Sequence, residues 1–298
     1  MTATTLLVSR AGLHTTLQDD GRWGWQDVGV PVGGALDRDA SRRANVLVGN
    51  EPDEAALEIT LTGCALRPDR DVHVAITGAR FDTTVDGAPV PQDCALELQA
   101  GATLDLGRRL AGARAYVAVR GGFDIAPVLG SRTAWPFTDR RGAIPDGTRL
   151  AVARREVTPV RTVALPGLVR REVLRVLPTG EAEDEALFAL QSGAYSVLPS
   201  ASRMAFPLDG PPVPLSHPDR ASAGTVTGAL QILPTGAPIL LMADRQTTGG
   251  YPIVAVVISA DLPHAAQRAP GDTVRFSVCT RDEALEALWR AEAHWGHS

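Results

Sequence analysis

The sequence predicts a mainly β protein with a few helices, divided into two domains. Three observations carry this. Short runs alternate apolar and polar residues with a period of two, punctuated by Gly, Pro and Asp, which is the signature of half-buried strands. The chain has 298 residues, and single cores rarely grow much beyond ~250 residues. The alternating pattern also breaks down between Arg154 and Glu172.

In the first half the alternation predicts strands near 6–9, 57–62, 72–77, 81–85, 95–99, 103–106 and 115–119, with Asp86-Gly87 as a tight-turn signal between two of them. One helix interrupts the pattern. Asp37 is its expected cap, Ala40, Ala44, Leu47 and Val48 share a face, and Gly49-Asn50 ends it. Arg154-Arg155, Thr158-Pro159, Pro166-Gly167 and Arg170-Arg171 leave only short apolar pieces, so we expect a domain over residues 1–155, a linker over 156–172 and a second domain over 173–298. The second domain repeats the β pattern near 174–177, 229–233, 239–242, 253–258 and 273–278. Helices are expected at 183–190, 262–268 and 282–293. In the last, Ala284, Leu285, Leu288 and Trp289 form an apolar stripe suited to core packing or docking on the other domain.

Composition excludes several chemistries. All 29 basic residues are Arg. Without Lys there is no biotinyl-lysine, no Schiff base and no phosphate-binding loop ending in Gly-Lys-Ser/Thr. The net charge of -5 is spread over both signs and offers no basic stripe for nucleic acid. The N-terminus lacks a charged n-region and a long apolar h-region, and no run approaches the ~20 apolar residues of a membrane span, so a cytoplasmic location with no membrane partner is expected. Cys64, Cys94 and Cys279 are odd in number and lie in strand-like or apolar surroundings, which predicts reduced core residues. Of the six histidines, His294 and His297 alone have ligand-like spacing, and they sit in the last five residues, so no metal site is expected. Neither Gly-x-Ser-x-Gly nor Gly-x-Gly-x-x-Gly occurs.

The most informative segment is Asp244-Arg245-Gln246-Thr247-Thr248-Gly249-Gly250-Tyr251-Pro252, set between the apolar stretches 238–243 and 253–259. It gathers an acid, a guanidinium, an amide, two hydroxyls and a phenol beside a glycine pair whose missing side chains let backbone approach a ligand. The alternative is a β-turn whose Thr and Gln satisfy local backbone groups.

Several segments together resemble one bacterial family. They are Thr15-Thr16-Leu17-Gln18-Asp19, Gly21-Arg22 with Gly24, Gly29-Val30-Pro31-Val32-Gly33-Gly34-Ala35-Leu36-Asp37, Ala44-Asn45-Val46-Leu47-Val48-Gly49-Asn50, Leu57-Glu58-Ile59-Thr60-Leu61, Thr77-Gly78-Ala79, Gly121-Gly122-Phe123, Leu129-Gly130-Ser131-Arg132, the stretch 238–252, Ile258-Ser259-Ala260-Asp261-Leu262 and Pro270-Gly271-Asp272. The chain is identified on these residues as a member of the biotin-dependent carboxyltransferase family, also called allophanate hydrolase subunit 2, which includes the C component of 5-oxoprolinase and a segment of urea carboxylase.

The resemblance implies two cyclophilin-like β-barrel domains. It also implies a partner, allophanate hydrolase subunit 1 or the B component of 5-oxoprolinase, with the A component of 5-oxoprolinase as a possible third chain. ATP would be used by the complex, and biotin, where used, would sit on a separate carrier. A 5-oxoprolinase subunit is the expected function. The alternatives are a urea-carboxylase-type carboxyltransferase and a non-catalytic regulatory paralogue. Where relatives carry Ser-Asp-Arg-Met-Gly-x-Arg, this chain has Ser202-Arg203-Met204-Ala205-Phe206-Pro207, and the usual Ser-Glu-Gly is Ser222-Ala223-Gly224. Trp135 to Gly142 replaces an expected Gly-Gly loop. Opening a lactam or carboxylating urea requires binding an amide and stabilising charge on oxygen, tasks suited to Arg, Gln and hydroxyl side chains. The expected substrate-binding residues are therefore Arg203, Asp244, Gln246, Thr247, Thr248 and Tyr251, with Arg22 and Asp37 from the first domain; Asp37 as a helix cap, the two arginines as structural ion-pair partners and Tyr251 as a packed aromatic before Pro252 are the alternative roles.

Overall fold

Alternation of side chains along each strand gives the first half of the chain two faces to cover, and two antiparallel sheets and a helix cover them. The structure is a computed structural model describing residues 4–134, 142–153, 171–215 and 221–293. It divides into two units, Met1–Arg22 with Gly33–Leu168, and Trp23–Val32 with Val169–Ser298. Residues 156–170 of the expected linker lie outside the described residues, as do residues 135–141 and His217, His294 and His297.

The first unit contains β1 (Thr5–Arg10), β2 (His14–Gln18), α1 (Arg38–Leu47), β3 (Ala56–Thr60), β4 (Ala65–Pro68), β5 (Val72–Phe81), β6 (Thr84–Val85), β7 (Ala88–Pro89), β8 (Ala95–Leu98), β9 (Leu104–Asp105), β10 (Arg109–Val119) and β11 (Thr148–Ala151). One sheet runs β11-β1-β4-β9-β6-β7 and the other β2-β3-β10-β5-β8. Their facing sides share a core in which Leu6, Val8, Leu66 and Leu104 meet Leu57, Ile59, Val74, Ile76 and Val117. Along β10, Ala115, Val117 and Val119 enter that core, whereas Tyr116 and Ala118 point the other way. There they join Ala40, Ala44, Leu47 and Val48 of α1, the helix face read from the sequence. The Asp37 carboxylate accepts from the Ala40 amide at 2.9 Å, so it does cap α1. Asp86 (φ 49°) and Gly87 (φ 82°) form the expected turn, but it joins β6 to β7; the run expected over 81–85 is split between the end of β5 and the two-residue β6.

The second unit contains β12 (Val173–Pro178), α2 (Asp184–Ser192), β13 (Tyr195–Val197), β14 (Ala205–Asp209), β15 (Ala223–Gly224), β16 (Ala229–Ile232), β17 (Pro238–Leu241), β18 (Thr248–Gly249), β19 (Ile253–Val257), α3 (Leu262–Ala266), β20 (Thr273–Val278) and α4 (Arg281–Glu292). Seven of these strands close a barrel in the order β12-β19-β16-β17-β14-β13-β20. The closing pair, β12 with β20, is parallel, from Val173 opposite Arg275 to Val176 opposite Val278. Closure removes the sheet edges that would otherwise invite pairing with another chain.

Helix α4 and the cysteines differ from expectation. The α4 stripe is not core: no residue of α4 is buried and Trp289 is 68% exposed. This helix is secured at its start instead, where the Thr280 and Glu283 side chains exchange hydrogen bonds with each other's backbone amides in a capping box. The cysteines are free, but Cys64 alone is buried, and burial pushes its thiol up to about 12; Cys94 and Cys279 are half-buried. Among the described residues no helix is long and apolar enough to cross a membrane.

Candidate functional site

Strand order explains why the polar loop lies where it does. β17 and β19 are both antiparallel to β16 and flank it on either side. They therefore run in the same direction, and the chain leaving β17 beside Ala229 must travel back along β16 before β19 begins beside Gln231. Residues 242–252 make that return. Leu230 and Ile232 occupy one face of β16, and Gln231, on the opposite face, meets the returning loop. Gln231 is 2% exposed; its Oε1 accepts from Gln246 Nε2 at 3.3 Å, and its own Nε2 makes a long contact to the Tyr251 carbonyl at 3.4 Å.

Two further segments hold the loop from its sides. Ahead of β14, the Arg203 carbonyl accepts from the Asp244 amide at 3.0 Å, and the Arg203 guanidinium donates to both Asp244 oxygens, Nε to Oδ2 and Nη2 to Oδ1, each at 2.9 Å. Ahead of β16, the Thr225 amide donates to the Thr247 carbonyl at 2.9 Å and the Thr225 hydroxyl donates to the Gln246 carbonyl. β15 pairs with β18 as a two-stranded ribbon, Ala223 opposite Gly249 and Gly224 opposite Thr248. A Cβ on Gly249 would lie 2.6 Å from Gln231 Nε2, so a larger residue here would make the end of the Gln231 side chain shift.

The side chains divide by role. Arg203 and Asp244 are consumed by each other. Gln246 and Thr248 are exposed, Thr247 is half-exposed and Tyr251 is 44% exposed. Among the described residues the hydroxyls of Thr247, Thr248 and Tyr251 have no protein partner, so their hydrogen-bonding capacity is open to a ligand. Arg245 differs from all of them. It is 5% exposed, donating through Nη1 to the Thr227 hydroxyl at 2.7 Å and weakly through Nη2 to the Thr225 carbonyl at 3.4 Å, while its buried Nε has no partner among the described residues. Burial alone lowers its pKa.

Six of the expected residues, Arg203, Asp244, Gln246, Thr247, Thr248 and Tyr251, thus form one cluster in the second unit. The other two lie in the first unit in separate networks. Arg22, 1% exposed, donates through Nε to the Val128 carbonyl at 2.9 Å and through Nη2 to the Thr133 carbonyl at 2.7 Å. Asp19 completes that knot by accepting from Ser131 Oγ, Thr133 Oγ1 and the Arg132 amide, each at 2.6 Å. Asp37, besides capping α1, donates its amide to the Tyr116 hydroxyl at 2.8 Å, and that hydroxyl donates to the buried Glu58 carboxylate at 2.7 Å. Desolvation and the negative charge of Glu58 push the Tyr116 phenol well above its ordinary value.

Sequence reasoning missed Gln231 and Thr225 as parts of the loop's machinery, and it placed the Arg245 guanidinium in the loop without counting it among the substrate-binding residues. A signal for Gln231 was present: an amide inside the apolar run Ala229-Leu230-Gln231-Ile232 must find partners once buried. Three of the divergent positions lie on the frame of the loop. Ala205 and Pro207 pair with Leu241 and Ile239 of β17, and Ala223 pairs with Gly249.

The model of the family described as "Carboxyltransferase domain, subdomain A and B" matches residues 28–278. The C component of 5-oxoprolinase from Escherichia coli is 35% identical over 294 residues, a match covering 95% of this chain and 94% of that protein. The urea amidolyase of Saccharomyces cerevisiae is 28% identical over 92% of this chain, which spans 16% of that longer protein. Among solved structures, the Kluyveromyces lactis urea carboxylase superposes with a TM-score of 0.90 at 25% identity, over 99% of this chain and 29% of its own.

Proposed function

Because this chain belongs to the family of carboxyltransferase domains with subdomains A and B, we propose that it is one subunit of a heteromeric, ATP-dependent 5-oxoprolinase that opens a cyclic amide. The observation carrying this reading is the Escherichia coli 5-oxoprolinase component, which matches at 35% identity over 95% of this chain and 94% of its own length. The proposed partner is of the allophanate hydrolase subunit 1 type, equivalent to the B component of 5-oxoprolinase. An A component joins them, in the cytoplasm.

The loop chemistry suits the task. A lactam presents a carbonyl oxygen that gains negative charge as the ring opens, and an N–H that must be recognised. The Gln246 amide both donates and accepts, and the Thr247, Thr248 and Tyr251 hydroxyls offer donors at the rim of the same loop. Donors fixed in place before reaction stabilise developing charge on oxygen without reorganising. The Arg203–Asp244 pair and the Thr225 bonds supply that fixity. ATP supplies the driving force for opening an unstrained ring. A phosphate-binding loop that ends in Gly-Lys-Ser/Thr would have to come from another chain.

A second reading, a carboxyltransferase acting with biotin on a separate carrier, draws support from the family description and from the urea carboxylase likeness. The chain has no lysine to biotinylate. Co-expression with the two proposed partner chains separates the readings. The expected result is a co-purifying complex with ATP-dependent 5-oxoproline hydrolysis that this chain lacks when alone. Full turnover by the lone chain, or a complex that carboxylates urea from carboxybiotin and leaves 5-oxoproline untouched, would overturn the first reading.

A further inference from the structure

Among the described residues of the second unit two arginines are buried, Arg203 and Arg245, and of these two Arg203 alone is met by a carboxylate. Arg203 is held by both oxygens of Asp244, and Arg175 by both oxygens of Asp261. Arg245 is buried between the loop and the Thr225–Thr227 turn with a hydroxyl and a distant carbonyl as its acceptors. No carboxylate among the described residues forms a salt bridge with it or opposes the effect of burial on its charge, and the carboxylate next to it in sequence, Asp244, is bound by Arg203. A guanidinium has five donors and stays charged in proteins. Left buried without a counter-ion it is costly, and its field in a low-dielectric setting favours a negative charge nearby.

We propose that this loop takes an anionic ligand and that Arg245 supplies the compensating charge, so that the site selects a carboxylate-bearing amide over a neutral one. The inference rests on the reading of the loop as the substrate site and deepens it. 5-Oxoproline carries a carboxylate beside its lactam, whereas urea is uncharged. Gln246 and the Thr hydroxyls would recognise the amide that both share, and Arg245 would distinguish them. Glycine at 249 matters to the same arrangement, because it lets Gln231 and Gln246 close together over β16 beside the Arg245 turn.

The test measures binding of three probes, 5-oxoproline, its uncharged primary amide and urea, by calorimetry and by thermal shift at constant ionic strength. It uses the full chain alone and within its co-purified complex. The native protein should bind the acid at least about tenfold more tightly than the amide, the discrimination expected of a charge-assisted hydrogen bond. Arg245→Gln should erase that preference, and Arg245→Lys should keep part of it. If Arg245→Gln fails to fold, Arg245→Lys and Arg245→Met carry the comparison. Equal affinity for acid and amide in the native protein, or a preference that survives Arg245→Gln, overturns the proposal. Gln246→Ala separates it from the reading beneath: this change should weaken acid and amide alike. If it leaves both unchanged while Arg245→Gln still removes the charge preference, the anion site stands and the role given to Gln246 falls. Failure of all three probes to bind in either form overturns both.

Discussion

Replacing Glu58 with Ala should destabilise the first unit by about 3–5 kcal/mol, the cost of breaking a buried charged network on one side. Glu58 is fully buried in β3, where Oε2 accepts from the Tyr116 hydroxyl at 2.7 Å and the Leu36 amide at 2.9 Å, and Oε1 lies 3.9 Å from Nε of Arg114, itself 4% exposed. The alanine removes acceptors from a phenol and a backbone amide and leaves the arginine without its carboxylate neighbour. Since whole domains are stable by roughly 5–15 kcal/mol, the variant should unfold at a much lower denaturant midpoint. Glu58→Gln keeps an acceptor in place and should cost less. A loss under ~1 kcal/mol for the alanine variant would show that the network is not holding the turn that leads into α1.

Asp244→Ala should produce a loss of similar size, about 3–5 kcal/mol, in the second unit. Arg203 is 8% exposed and would lose both oxygens at 2.9 Å, while Arg245, next in sequence, already lacks a counter-charge among the described residues. Two poorly compensated guanidiniums, Arg245 in the loop and Arg203 in the segment beside it, would then remain. Removing both members of the pair should be milder than removing the acid alone, because replacing both partners leaves no orphaned charge. Arg203→Met with Asp244→Leu should therefore recover stability relative to Asp244→Ala, read from chemical denaturation. A double variant worse than the single would show that the pair acts through packing.

The parts of this fold that were legible in the sequence are those decided by local chemistry. Asp37 as a cap, the Ala40–Ala44–Leu47–Val48 face and the Asp86-Gly87 turn each depend on a few adjacent residues. The loop of residues 244–251 was legible because its polar residues interrupt two strongly apolar strands. In two of the missed strands burial or composition masks the period. β2 has four consecutive buried residues, Thr15 to Gln18, so its sequence does not alternate, and β14 contains Pro207, which argues against a strand until the β17 partner is known. Long-range placement was not legible at all. Nothing local says that Gln231 will lie under the returning loop, that Asp19 will gather Ser131 to Thr133, or that Arg245 will be buried while Gln246 beside it is exposed. For α4, the stripe on its sequence suggested burial that the fold does not supply.

Whether the loop between β17 and β19 binds substrate is decided most directly by comparing stability with function. Melting temperature, affinity for 5-oxoproline and turnover of the assembled complex are measured for Gln246→Ala and Thr247→Ala, against the exposed control Arg281→Ala. Gln246 is exposed and makes one side-chain bond of 3.3 Å, and the Thr247 hydroxyl makes none to the described residues, so folding should change little. A substrate loop predicts a loss of ~1–3 kcal/mol in binding or transition-state energy for the two loop variants, from hydrogen bonds lost in a desolvated site, and none for the control. Unchanged affinity and turnover in both loop variants, with the melting temperature lowered instead, would contradict it.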